Sequence, residues 1–144
     1  MAEVFNCSCA CGHVVFTATP KAMTMDACHC EMCRKWAGGV YLSVACSDIS
    51  FEDESRLTVF DSSKWAERVS CNRCGSSLVW RMKNNKFKSV ALAAFENADD
   101  FAFDRELFID SRPDNYAMTG SKRQLTEAQI FGTDTPAPEG QADA

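Results

Sequence analysis

Cys71-Asn72-Arg73-Cys74-Gly75 is the stretch from which the architecture of this chain follows. Two thiolates three positions apart grip one tetrahedral ion on a tight turn, and the glycine after them lets backbone N–H groups turn toward the sulfurs. Such a knuckle supplies half a site. The other half must come from a distant cluster, and Cys9-Ala10-Cys11 before Gly12 has the form of a second tight turn. Cys9, Cys11, Cys71 and Cys74 then close a four-sulfur structural zinc site. Cys7 shares the spacing through Cys7-Ser8-Cys9, but Gly12 favours the later pair. A four-thiolate zinc site carries a formal charge of about −2 and calls for a nearby cation, for which Arg73 is the candidate.

The third cluster, Cys28-His29-Cys30-Glu31-Met32-Cys33, differs in kind. Three thiolates hold a zinc ion one ligand short of tetrahedral, the pattern of a site that accepts an exchangeable group. His29 stands between two ligand cysteines, so its ring is expected to face away from the ion they share. Zinc on three thiolates is a weak Lewis acid, yet binds a further thiol as thiolate near neutral pH. Cys46, alone among apolar residues, reads as an inert buried thiol. Trp36, Tyr41 and Phe95 read as core aromatics.

Nine cysteines in 144 residues would fit a disulfide framework in a secreted domain. The start, Met1-Ala2-Glu3-Val4-Phe5, lacks the basic-then-apolar order of a signal peptide, and the cysteine count is odd. Metal ligation in a cytoplasmic protein is the expectation. A formal charge of −5 without any basic run argues against nucleic acid, and no apolar stretch has the length of a membrane span. With 46% hydrophobic and 24% charged residues, the chain should form one globular domain over 1–132. The stretch 133–144 offers little to bury and is expected to be a disordered tail.

Short runs with strand character occur at 13–17, 40–44, 56–60, 66–70, 77–80, 89–92 and 106–109, so the fold class is mainly β. Lys83-Asn84-Asn85-Lys86 separates two of them as a hairpin turn would, and Gly38-Gly39 can supply positive φ before another. Helical turns are expected only at 31–36, 97–101 and 126–130, the last capped by Ser121 or Thr126.

Taken together, Cys9-Ala10-Cys11-Gly12, Cys28-His29-Cys30-Glu31-Met32-Cys33-Arg34-Lys35 and Cys71-Asn72-Arg73-Cys74-Gly75-Ser76 resemble the motifs of the glutathione-dependent formaldehyde-activating enzymes, whose domain also occurs in centromere protein V. The resemblance runs from about residue 5 to about residue 116. It implies small antiparallel sheets of Mss4-like type with short helical turns and two zinc ions per chain. One ion is structural, on Cys9, Cys11, Cys71 and Cys74; the second lies on Cys28, Cys30 and Cys33.

The activity implied is that of a carbon–sulfur lyase that condenses a thiol, glutathione, with formaldehyde or a related aldehyde to an S-hydroxymethyl adduct. Arg34 and Lys35 would then be cofactor-binding contacts to glutathione carboxylates, Arg34 also touching substrate. The expected partners are thus a small-molecule thiol and an aldehyde. Glu106 and Asn115 depart from the family, standing where many members carry His and Trp. The competing class is a non-catalytic, zinc-stabilised interaction module, and a third reading makes Cys28, Cys30 and Cys33 a redox cluster.

Overall fold

The structure is a computed structural model and describes residues 2–132; the tail expected at 133–144 lies outside the described residues. Ten strands are present: β1 (Phe5–Ser8), β2 (Val15–Pro20), β3 (Thr24–Cys28), β4 (Tyr41–Phe51), β5 (Leu57–Phe60), β6 (Ala66–Cys71), β7 (Ser77–Met82), β8 (Lys88–Ala91), β9 (Ala102–Leu107) and β10 (Arg123–Leu125). Two short helices, α1 (Glu31–Ala37) and α2 (Glu127–Phe131), and four single 3₁₀ turns complete the described chain. The protein is mainly β, as expected.

The expectation of several small antiparallel sheets is revised. All ten strands belong to one hydrogen-bonded network in the order β10-β9-β3-β4-β8-β7-β6-β5, with β2 attached to β4 and β1 to β2, and the β3–β9 and β9–β10 pairs are parallel. The cause is β4. At eleven residues it is long enough to pair β3 along Tyr41–Ser43, β8 along Ser43–Cys46 and β2 along Cys46–Phe51, which joins what would otherwise be separate sheets. Parallel pairing needs a long crossover between its strands, and everything from α1 to β8 lies between β3 and β9.

Alternation along the strands gives this sheet two unlike faces. Met25, Val44, Cys46, Val69, Val79 and Val90 join the main apolar core with Phe16, Phe95 and Phe101. Their neighbours one residue away face the other side. There the register sets Asp26 opposite Ser43 and Arg105, Cys28 opposite Tyr41 and Leu107, and Trp80 opposite Ser89 and Arg68. A second apolar cluster of Cys28, Cys30, Cys33, Tyr41, Trp80 and Phe108 forms on that face. Thiols and polar groups of the central strands are thus gathered on one surface.

The turns explain where elements stop. The β7–β8 hairpin forms at the expected place, with Asn85 at φ 64°. Gly38, at φ 80°, ends α1 and returns its N–H to the Arg34 carbonyl. The strand expected at 106–109 starts earlier and stops at Leu107, because Phe108 turns into the left-handed region at φ 57°. Likewise, the strand expected from residue 13 begins at Val15, since Cys9 N–H bonds to the Val14 carbonyl across the first cysteine turn.

Candidate metal and substrate site

The first cysteine turn and the β6–β7 turn bring Cys9, Cys11, Cys71 and Cys74 together, their sulfurs all within 4.8 Å of one another. A tetrahedral ion with Zn–S bonds near 2.3 Å sets its sulfurs about 3.8 Å apart. The Cys9–Cys11 and Cys11–Cys71 Sγ separations of 3.7 and 3.8 Å match that edge. Disulfide sulfurs would stand about 2.05 Å apart, so the spacing fits shared ligation instead.

Backbone donors point at these sulfurs as the sequence suggested. Val14 N–H reaches Cys9 Sγ at 3.2 Å, and the N–H groups of Arg73 and Cys74 reach Cys71 Sγ at 3.3 and 3.4 Å. Gly75, at φ 79°, makes the turn that allows this. Hydrogen bonds from Ser76 pull the Cys74 thiol down to about 5. Burial pushes Cys9 upward, but the Val14 N–H and the neighbouring thiols Cys71 and Cys11 outweigh it and lower its pKa. Arg73 reaches the cluster through its backbone N–H, while its side chain is exposed.

Cys28 ends β3, Cys30 caps α1 and Cys33 lies in its first turn. Their sulfurs also lie within 4.8 Å of one another, all buried, and this trio could hold a metal ion. Cys30 Sγ accepts the Cys33 N–H at 3.4 Å, the cap that starts the helix. Thiol hydrogen bonds from Cys28 and Cys30, with Arg68 beside it, hold Cys33 down to about 3. Cys28 is pushed well above the ordinary thiol range by its bonds to Cys30 and Cys33 and by burial.

Arg68 is the residue that sequence reading missed. It is fully buried, its Nη1 lies 3.6 Å from Cys33 Sγ, and its guanidinium stacks 5.0 Å over the Trp36 ring. The only signal was alternation in β6, where Arg68 shares a face with Ala66. His29 faces away from the trio as expected. It too is fully buried, with Nε2 2.9 Å from Glu106 Oε1 and Nδ1 2.7 Å from the Tyr116 hydroxyl. The carboxylate accepts the Nε2–H, which leaves Nδ1 to accept from Tyr116. Ser121 and Gln124 donate to the other Glu106 oxygen.

Beside the trio lies a cavity of about 390 Å³, with Cys28, Cys33 and Tyr41 in its wall. Arg34 and Lys35 are not among its lining residues. Arg34 donates from Nε to the His29 carbonyl at 2.8 Å and from Nη2 to that of Ser111 at 3.4 Å. Lys35 is exposed and lines a separate groove with Cys9, Cys74 and Trp36. Trp36 and Phe95 are packed as the sequence suggested. Cys7 and Cys46 stand apart from both sulfur clusters, and burial pushes each up to about 12.

A β-sheet domain with one four-cysteine and one buried three-cysteine constellation, the second opening on a cavity, belongs to the class of sulfur-rich candidate metalloproteins. Residues 4–111 match the model of the glutathione-dependent formaldehyde-activating enzyme family, and the chain belongs to that family. An uncharacterized lyase of Schizosaccharomyces pombe is 26% identical over 126 residues, covering 86% of this chain and 92% of the relative. A Rhodobacter sphaeroides protein of known crystal structure shares the fold at a TM-score of 0.54 and 21% identity, covering 64% of this chain and 88% of that one. Family and relative together make the chain a lyase in general terms. Among the described residues, no helix is long and apolar enough to cross a membrane.

Proposed function

We propose that this chain catalyses the reversible addition of a thiol, glutathione, to formaldehyde or a related aldehyde, and that the reverse cleavage of the carbon–sulfur bond is its lyase reaction. The observation that carries this reading is the convergence of the Cys28, Cys30 and Cys33 sulfurs beside a cavity whose wall includes Cys28 and Cys33, with the Arg68 guanidinium against Cys33. Zinc held there by the three sulfurs would leave a position for a thiol and keep that thiol ionised near neutral pH.

The chain's own residues supply the rest. Arg68 offsets the negative charge of the sulfur cluster from the side away from solvent. Tyr41 shares a face with Cys28, and burial lifts its pKa above the ordinary phenol value, so its hydroxyl stays a donor. We assign it the hydrogen bond to the aldehyde oxygen as that atom gains charge. Arg34 and Lys35, which follow Cys33 on α1, remain the proposed partners for glutathione carboxylates, Lys35 from the neighbouring groove that it lines.

Exchange among glutathione, formaldehyde and their adduct can be followed by NMR with native protein, with Cys30→Ser and in buffer. The native protein should exceed buffer clearly, and the variant should lose at least about tenfold of that rate. Equal rates in all three would contradict the reading.

A further inference from the structure

Formaldehyde has no side group, yet the cavity beside the sulfur trio is far larger than formaldehyde needs. Its walls include Trp65, Trp80, Phe87, Leu107, Phe108 and Phe131. Trp65 meets Trp80 edge-on at 5.7 Å, Trp80 meets Phe87 at 5.8 Å, and Phe108 meets Phe131 at 6.0 Å. Edge-to-face and offset contacts are the arrangements aromatic rings prefer, so these walls offer an entering ring the same kind of contact. An apolar cavity of roughly 150 Å³ already accommodates benzene. The observed volume of about 390 Å³ has room for a ring and the reacting group attached to it.

Charge in the cavity argues in the same direction. Its lining includes one cation, Arg105, and that residue is already paired with Asp26 through Nε at 3.2 Å and Nη2 at 2.7 Å. An anionic group entering here would compete with an existing bidentate ion pair, whereas a neutral ring disturbs nothing. Of the uncharged polar groups in the lining, the hydroxyls of Tyr41, Ser43 and Ser89 share the strand face that carries Cys28, and Gln129 comes from α2. Thiol and hydroxyl chemistry thus adjoins aromatic walls.

One side of the cavity is built by residues beyond the family match. Leu125, Gln129, Ile130 and Phe131 line it, and all four follow residue 111, where the match ends. Phe108 lines it from a left-handed backbone conformation at φ 57°, ψ 48°, which is rare for a bulky aromatic and occurs mainly where surrounding structure enforces it. From these observations we infer that the cavity holds the organic group of an aromatic aldehyde, so that this chain acts on an aryl-bearing carbonyl compound, with α2 setting that preference.

The inference rests on the thiol-addition reading for its chemistry. The thiol sulfur forms a bond to the carbonyl carbon, the C=O π bond breaks onto oxygen, and the thiol proton ends on that oxygen, giving a hemithioacetal. No oxidant or reductant is consumed. The ring stays in the cavity while the thiol's charged body remains outside.

Two measurements on the full chain separate the cavity from the chemistry. Benzyl alcohol, which carries the ring but cannot add a thiol, is titrated against the protein while the indole N–H signals of Trp65 and Trp80 are followed by NMR, with methanol as the control. Saturable shifts with benzyl alcohol alone are expected, weakened at least tenfold in Ile130→Trp, which fills the cavity, and retained within a few-fold in Ile130→Ala. Thiol exchange is then compared for benzaldehyde and formaldehyde, and kcat/KM should favour benzaldehyde at least tenfold. Absence of saturable benzyl alcohol binding, equal binding by Ile130→Trp, or a preference for formaldehyde would overturn the inference. If formaldehyde exchange is accelerated while benzyl alcohol fails to bind, the substrate class falls and the thiol chemistry stands. Binding without acceleration of either aldehyde would overturn the substrate assignment through the chemistry instead.

Discussion

Arg68 carries a full charge into the interior with Cys33 on one side and Trp36 on the other. Removing one member of a buried charge pair leaves the other uncompensated, at a cost of roughly 3–5 kcal/mol. Arg68→Met should lose that much in urea unfolding, and its trio should release metal at a higher pH on acidification, because the sulfurs then hold protons more tightly. Unchanged stability and an unchanged release midpoint would remove Arg68 from the account. Glu106 is a second buried charge. Burial works against its ionised form, but Ser121, Gln124 and His29 outweigh it and hold its carboxyl below the usual range. The folded chain therefore binds fewer protons here than the unfolded chain. That contribution is complete above the ordinary carboxylate pKa of about 4.3 and is lost as pH falls through the folded value. Glu106→Gln should cost roughly 1.5–3 kcal/mol at neutral pH, and its deficit against the native protein should shrink on acidification. A deficit constant from pH 7 to pH 3 would contradict this. Glu106 stood out in the sequence only as a departure from the family pattern, and the burial of neither charge was legible, since a charge on an alternating strand reads as solvent-facing until its partners are known.

The elements differ in how openly the sequence declared them. The stretches around α1, α2 and the β7–β8 hairpin carry local signals: a capping side chain, a left-handed glycine, an Asn-Asn turn. β1 and β3 carry none. Thr24-Met25-Asp26-Ala27-Cys28 has few β-branched residues and forms a strand because β4 and β9 flank it on both sides. Long-range pairing decided what local preference left open. α2 is the opposite case, five residues held by a full capping box in which Thr126 accepts the Gln129 N–H and the Gln129 side chain accepts the Thr126 N–H. Losing such a cap costs about 1 kcal/mol. Thr126→Ala should therefore speed hydrogen exchange at the Gln129 amide about fivefold, while amides in β4 keep their protection. Equal protection at Gln129 in both proteins would show that tertiary packing, and not the cap, holds the helix.

At the scale of the molecule, the sequence disclosed its cysteine clusters better than its topology. Cysteine spacing located both constellations, because ligand geometry is local to each turn, and Gly12 and Gly75 marked the turns that build the first. It could not show that eleven residues of β4 would weld the strands into one sheet with parallel pairs, or that the strand face carrying Cys28 would be roofed by aromatic rings. The four-cysteine cluster ties the β1–β2 end of the sheet to the β6–β7 turn, whereas the three-cysteine cluster adjoins the cavity and offers an ion three sulfurs instead of four. Loading the protein with cobalt and recording its visible absorption during a thiol titration tests this division of labour. Two cobalt ions per chain are expected, with the bands of one changing saturably as thiol is added and those of the other unmoved. A spectrum that takes up cobalt at both clusters but stays constant at every thiol concentration would contradict it.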